Sequence, residues 1–454
     1  LKIAIVGAGI SGLATAFALR SNRPDLELEL FESSHRTGGK VWTERTPEGY
    51  ACEWGVNGFL NNKPKTLELA DALDLAPLPG SEEANRRYVF RKGRLHALPE
   101  SPPAFLTSGL MSLPGRLRVM CEPFITRGRV EDETLGDFAK RRLGAEARDA
   151  LIDPMASGVF AGDPARMSLK SCFPRIHEIE SEFGSLVRGM IRLQIRARKS
   201  GEGKGPGPGP GGKLTSFSTG MSELTDTLTG LFYDHIRLGA QVQSIDREGE
   251  RYQVHLADGS SAEADRVVLA CPAFAQVELL GGLAPDIAER LRDIPYPSVA
   301  VVCLGYDIER LGDVLDGFGF LVPSTEQRGI LGSVVDSNVF PNRAPEGKVL
   351  FRTLVGGSRA PERACLPENE LLDLVRADLK DMLGMDIDPE FARSYKHQRA
   401  IPQYHVGHAR RLSEIDRELQ AQPGLYLTGN AYRGVSLNDC IENAWKTADR
   451  VLAG

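Results

Sequence analysis

Lys2-Ile3-Ala4-Ile5-Val6-Gly7-Ala8-Gly9-Ile10-Ser11-Gly12 runs from a short apolar strand into three glycines spaced G-x-G-x-x-G, and Leu13 to Leu19 behind them carry a helical pattern. In that order each glycine has a task. Gly7 makes the tight turn, Gly9 lets backbone approach a pyrophosphate, and Gly12 lets the helix pack on the strand. A second strand, Leu26 to Phe31, ends at Glu32, where a carboxylate takes ribose hydroxyls and repels a 2′-phosphate. The opening therefore predicts an α/β fold with a dinucleotide site, and disfavours NADP.

The residues that follow separate NAD from FAD. Glu32-Ser33-Ser34-His35-Arg36-Thr37-Gly38-Gly39-Lys40 resembles the E-S-x-x-R-x-G-G run of the glutathione-reductase-like and amine-oxidase-like FAD proteins. There the paired glycines let backbone approach the cofactor and the cations balance phosphate charge. The resemblance implies FAD.

Composition narrows the function classes. With 454 residues, the chain is several typical domains long. Its formal charge of −6 gives no reason to expect nucleic acid, whose electrostatic footprint is a basic face. The seven cysteines are scattered and never in C-x-x-C spacing, so neither a disulfide framework nor a zinc site follows, and they read as small buried hydrophobes in a reducing compartment. His405 and His408 form an H-x-x-H without a third ligand, a structural pair; no metal is expected. The opening strand leaves no room for a signal or transit peptide in this sequence, and no run of eighteen apolar residues predicts a membrane span.

Pattern along the chain predicts three units and a connection. Arg87 to Leu98 reads as a hairpin turned at Lys92-Gly93. From Pro103 to Lys199 the pattern is helical, with a spacing near 3.6 in Leu135 to Leu151 and in Phe183 to Ile195. Short strands follow from Ile236 to Cys271, with a turn at Asp258-Gly259, and recur from Val299 to Val355; a helix is predicted over Glu368 to Leu383. The last strand, from Leu425, turns at Gly429-Asn430 ahead of a closing helix from Asn438 to Leu452. The expectation is an FAD-binding domain from 1–80, 214–285 and 400–454, thus from both chain ends, and a mixed antiparallel-sheet substrate domain from 81–100 and 286–399. A helical, membrane-binding subdomain is expected over 101–199 and a flexible Gly/Pro loop over 200–213.

The closing helix offers chemistry of its own. Asn438 and Asp439 can cap it, so that Gly434-Val435-Ser436-Leu437 approach its positive end, which beneath a flavin pyrimidine would favour the anionic reduced ring. Many FAD proteins carry Gly-Asp where this chain has Gly429-Asn430, a departure that touches the ribityl contacts. No nucleophile–base set or paired carboxylate stands out, as suits an enzyme whose cofactor does the chemistry.

A more specific resemblance covers nearly the whole chain. Arg87-Tyr-Val-Phe-Arg91, Ser157-Gly-Val-Phe-Ala-Gly-Asp-Pro164, Ser171-Cys-Phe-Pro174, Gly317-Phe-Gly-Phe-Leu-Val-Pro323, Leu331-Gly332 with Phe340-Pro341, Ile401-Pro-Gln-Tyr404 with Gly407-His408, and Gly434-Val-Ser-Leu-Asn-Asp-Cys-Ile441 occur in this order. Together they resemble the oxygen-dependent protoporphyrinogen IX oxidase family, within the amine-oxidase-like flavoproteins. The resemblance implies oxidation of protoporphyrinogen IX to protoporphyrin IX in haem synthesis, by three two-electron steps through one FAD with dioxygen as acceptor and peroxide as product. It puts FAD contacts on Gly7, Ala8, Gly9, Ile10, Ser11, Gly12, Glu32, Ser33, Arg36, Gly38, Gly39, Lys40, Gly55, Val56, Asn57, Gly58, Val242, Val435, Ser436 and Leu437. It implies Arg91 as partner of a propionate, the Gly158 carbonyl facing the macrocycle, and Phe318, Leu321, Phe340 and Leu354 as ring contacts.

Apolar residues from Phe105 to Leu113, followed by Arg116, Arg118, Arg127 and Arg129 and later by Arg188, Arg192 and Arg196, suit a helix lying on anionic lipid. A cytoplasmic protein resting on the cytoplasmic membrane is expected, and a homodimer is left open. Coproporphyrinogen III oxidation is the nearest rival activity; a flavin amine oxidase and a flavin-binding protein without turnover are the others.

Overall fold

The computed structural model describes residues 1–99, 101–128, 130–200, 211–311 and 316–454. Most of the 200–213 stretch read as a loop, together with Arg129 of the basic series, therefore lies outside the described residues.

A five-stranded parallel sheet has the order Ile236–Leu238, Glu27–Glu32, Lys2–Val6, Arg266–Leu269, Leu425–Leu427. Its centre is the opening strand, and its far edge comes from the last thirty residues. On one face the first helix, Ile10–Asn22, packs against the closing helix, Leu437–Ala453. The small side chains of the first helix, Ala14 and Ala18, allow that approach, and the joint core includes Leu13, Ile441, Ala444 and Ala448. A three-stranded antiparallel sheet covers the other side; Asp258-Gly259 turns within it, before a strand at Ser261–Ala264 that the sequence pattern did not separate.

A seven-stranded sheet forms the second layer, in the order Phe391–His397, Val299–Asp307, Lys348–Gly356, Ile330–Val335, Gly319–Leu321, Arg87–Arg91, Arg94–Ala97. Its pairing is antiparallel except where Gly319–Leu321 runs parallel to Arg87–Arg91. The period of two sorts its side chains. Phe90, Val302, Phe320 and Phe351 pack under the helix Glu368–Leu383, while Val89, Leu321, Leu331 and Leu354 belong to the opposite face, where Val89 meets the helical unit.

The helical unit departs from its sequence pattern twice, each time at a glycine. Gly144 has φ +97° and ends the helix Leu135–Leu143, so Leu151 lies in a separate wide turn, Arg148–Ile152. Gly184, at φ +70°, ends the helix Pro174–Phe183, and a new one starts at Leu186. The second break is fixed by a buried charge network. Arg142 is fully buried; it pairs with Glu122 at 3.1 Å and donates to Glu180 at 2.6 Å and to the Gly184 carbonyl at 2.6 Å. Glu122, also fully buried, accepts from Ser185 Oγ and from the Leu186 and Val187 amides, putting a negative charge on the positive end of the new helix.

Such a network costs desolvation and is fragile to the loss of one partner. Arg142→Met should therefore lower the unfolding free energy by about 3–5 kcal/mol, read from urea denaturation curves; a loss below about 1 kcal/mol would mean that the pair behaves as a surface ion pair.

Candidate functional site

At the carboxyl ends of the parallel strands the three glycines do different work. A Cβ on Gly12 would lie 1.9 Å from the Gly7 carbonyl oxygen, and one on Gly7 would lie 2.9 Å from the Cys271 nitrogen, at a φ of +103°. A Cβ on Gly9 would meet nothing closer than the Gly39 Cα at 3.8 Å. Gly7 and Gly12 are thus required by the protein's own packing, whereas Gly9 borders open space. Gly9 is also the N-cap of the first helix and supplies no side-chain cap, so the amides of the first turn are left for an anion.

A second glycine wall faces the first. The Gly38 amide donates to the Ala8 carbonyl at 2.9 Å, Gly9 and Gly38 form an isolated bridge, and Gly38 and Gly39 both have positive φ. Arg36 holds this wall, stacked over Trp42 and Trp54 with Cζ 4.8 and 4.6 Å from the ring centroids and donating to the Thr37 and Gly39 carbonyls. Its guanidinium is therefore engaged with the loop that was expected to use it as a counter-charge. Glu32 accepts from the Ala8 amide through one oxygen and from the Ser34 amide and hydroxyl through the other, each at 2.9 Å; Ser33 lies beside it, exposed. Lys40 reaches the Ala400 carbonyl, and burial pushes its ammonium down to about 8.

The segment 55–58 lies against the same region. A Cβ on Gly55 would stand 2.7 Å from the Lys40 carbonyl oxygen, and the Gly55 carbonyl accepts from Arg352 at 2.6 Å. Asn57 donates to the buried Asp336 at 2.9 Å, Val56 packs on the nucleotide-side core, and Gly58 sits where a Cβ would lie 2.7 Å from the Thr215 carbonyl oxygen. Behind them Glu53 and Arg343, both fully buried, pair at 2.7 Å. Val242 begins its strand as part of the second core on the nucleotide side.

The closing helix is capped at Ser436, two residues before Asn438, the first cap its sequence suggested. Ser436 is the N-cap: its hydroxyl accepts from the Asp439 amide at 3.2 Å, and the Asp439 carboxylate accepts from the Ser436 amide and hydroxyl. Asn438 turns away, donating to the Leu60 carbonyl and accepting from Thr66. Asp439 thus already answers part of the positive end that was assigned to a flavin. Leu437 is buried against the first helix's core, and Val435 packs on the helical unit beside Ala156 and Phe160.

The expected substrate residues divide. Gly158 and Leu321 meet: a Cβ on Gly158 would lie 2.5 Å from Leu321 Cδ2, so these two close on each other in this conformation. The helix carrying Gly158, Asp153–Phe160, ends with the Ala161 and Gly162 amides on the Ser157 and Ala156 carbonyls. The Gly158 and Val159 carbonyls therefore have no donor among the described residues. Leu354 joins Leu331, Ala161 and Ile401 on the same side of the sheet. Phe340 does not belong with them. It is 0 % exposed in a core with Ala84 and Val339, on which the expected ring contact Phe318 also packs. Arg91 is also committed: its guanidinium pairs with Glu146 at 3.2 Å and donates to the Leu110 carbonyl.

Sequence reasoning missed Arg87. It shares the Arg91 face of the strand, stands with Cζ 5.1 Å from the Phe318 ring centroid, is exposed, and has no carboxylate partner among the described residues. The alternation of Arg87, Val89 and Arg91 was visible; that Glu146, fifty-five positions further on, neutralises Arg91 was not.

A parallel sheet with a glycine-lined, uncapped helix terminus at its carboxyl ends, joined to a large, mostly antiparallel sheet, defines a dinucleotide-binding α/β protein. The chain belongs to the flavin-containing amine oxidoreductase family, whose model matches residues 10–452. It is 34% identical to protoporphyrinogen oxidase of Bos taurus, over 99% of this chain and 98% of that protein. It is 31% identical to coproporphyrinogen III oxidase of Bacillus subtilis, over 97% of this chain and 95% of that protein. A crystal structure of an Exiguobacterium protein superposes with a TM-score of 0.86 at 27% identity, covering 100% of this chain and 99% of that one.

The cleft fits a flavin nucleotide: Gly9 and Gly429 border space that a Cβ could enter without meeting an atom nearer than 3.8 Å, whereas the glycines around them are close-packed. Gly9→Val should accordingly fold with wild-type circular dichroism and purify colourless, while Gly12→Ala should fail to fold. A yellow Gly9→Val protein would put the nucleotide elsewhere.

Proposed function

We propose that this chain is an FAD-dependent oxidase that converts protoporphyrinogen IX to protoporphyrin IX in haem biosynthesis. The site residues named from the sequence, Phe340 and Arg91 excepted, are assigned accordingly. Bound FAD would take a hydride in each of three two-electron steps and pass the electron pair to dioxygen, so that one porphyrinogen and three dioxygen give one porphyrin and three peroxide.

The chain's own residues bind and orient. Uncapped amides after Gly9 would receive the pyrophosphate and Glu32 would keep lone pairs for the ribose. Leu331 and Leu354 form an apolar wall for a tetrapyrrole, and the unpaired Gly158 carbonyl can accept from a pyrrole N–H once Leu321 turns aside.

The observation that carries the substrate assignment is the charge balance beside this wall. Arg91 is paired with Glu146, and Arg359 with Asp153 and Asp163, whereas Arg87 has no carboxylate partner among the described residues. Arg94, cross-strand from Arg91, also has no carboxylate partner among the described residues, and two available guanidinia suit a substrate with two propionates better than coproporphyrinogen III with four. Arg87→Ala should raise the Michaelis constant for protoporphyrinogen IX about tenfold with a smaller change in kcat, while Arg91→Ala should act through stability. Faster wild-type turnover of coproporphyrinogen III, followed by porphyrin fluorescence, would transfer the assignment to that rival.

Peripheral attachment to a membrane belongs to the same reading. Among the described residues no helix is long and apolar enough to cross a bilayer. The helical unit nevertheless exposes Leu113, Leu117, Met120, Phe124, Ile191 and Ile195, with Phe124 at 80 %, near Arg116 and Arg127. That combination suits the surface of an anionic bilayer. Vesicles of anionic lipid should carry the protein on flotation, and Leu117→Glu with Phe124→Glu should leave it at the bottom of the gradient; equal flotation of both proteins would dismiss this face.

A further inference from the structure

The five residues Ala400 to Tyr404 touch three parts of the site at once. The Ala400 carbonyl holds Lys40 of the second glycine wall. Gln403, 2 % exposed, donates from Nε2 to the Phe160 carbonyl at 2.9 Å, where the helix bearing Gly158 ends. Tyr404, 1 % exposed, donates from its hydroxyl to the Asn430 carbonyl and accepts from the Gly434 amide at 3.1 Å. Its own carbonyl accepts from the Ser168 amide at 2.8 Å, which fixes the segment to the helical unit.

The Tyr404 hydroxyl therefore spans the turn Asn430 to Gly434 with one oxygen. That turn needs the support. Gly434 sits at φ +100°, and a Cβ there would lie 2.3 Å from the Asp439 carboxyl carbon, so the chain enters the closing helix through a conformation with no slack. The ring is held in turn, stacked on His408 with centroids 4.1 Å apart and planes 9° from parallel, while His408 Nε2 bonds the Tyr432 carbonyl at 3.1 Å. Burial keeps the phenol neutral, so the oxygen can donate and accept together, and keeps the His408 imidazole neutral, with its ionisation pushed down to about 4.

We propose that Tyr404 is a positioning residue for the flavin: its hydroxyl sets the turn Asn430–Gly434, and with it Val435 to Leu437, against the cofactor, while the adjacent Gln403 ties the Gly158 helix to the same segment. The inference rests on the flavin reading above. Without the hydroxyl, a carbonyl and an amide on that turn lose their partner inside the protein, and the turn relaxes.

Tyr404→Phe retains the ring and its stacking and removes only the oxygen. FAD titrated onto the apo-protein, followed by flavin fluorescence, should show a dissociation constant about tenfold higher. Hydrogen exchange of the segment 429–437 should speed up at least tenfold while the remainder of the closing helix is unchanged. A folded Tyr404→Phe protein with wild-type FAD affinity and wild-type exchange in 429–437 would overturn the proposal. Should that variant not fold, exchange at the Gly434 amide of the wild-type protein decides: protection supports the bridge and exchange at the free rate overturns it. A wild-type protein that takes up no FAD would instead remove the flavin reading, and the positioning role with it.

Discussion

Between Gly12 of the first helix and the carbonyl of Gly7 there is room for a hydrogen atom and nothing larger, and the remaining architecture is arranged around that contact. It brings the helix down onto the opening strand and aims the helix's first amides at the strand ends. The closing helix can then pack on the first one, and the turn that precedes it arrives beside the same cleft. A larger residue at Gly12 would displace the helix axis, and one at Gly7 would meet the backbone at Cys271.

Charges buried at the joints hold the other parts in relation to this centre. Glu53 and Arg343 join the segment leading to Gly55 to the sheet domain, and Arg352 donates to the Glu53 and Gly55 carbonyls from the strand that also carries Leu354. In the helical unit, Glu122, Arg142 and Glu180 do the same for the break at Gly184. Such pairs add little net stability against an apolar alternative. Their directional bonds suit them to fixing one arrangement of layers, and the residues that line the proposed substrate wall are set at those joints.

Local signals account for what could be read from sequence. The G-x-G-x-x-G turn, the hairpin at Lys92-Gly93 and the strand alternation each depend on neighbours within a few residues, and they appear where the pattern put them. Helix boundaries were less legible at Gly144, Gly184 and Ser436, where a left-handed glycine or a capping hydroxyl competed with a continuing apolar repeat. The substrate side was legible in part. Phe340 and Leu354 look alike as apolar residues in a β-rich stretch, yet one turns into the core and the other onto the wall. Arg87 and Arg91 share a strand face, and only the distant Glu146 makes them different. Pairings across fifty or more residues are decided by tertiary packing, which no local pattern encodes.

The order of strands in the parallel sheet has a consequence for how the protein is made. Lys2–Val6 lies at its centre, but the edge strand Leu425–Leu427 and the helix that covers the first helix follow it by some four hundred residues of synthesis. At translation rates of roughly 5–20 residues per second, the nascent dinucleotide motif waits on the order of 20 to 80 seconds for its final partners. For that time the first helix lacks the partner that completes its core, so vectorial synthesis passes through a half-finished domain with apolar surface exposed.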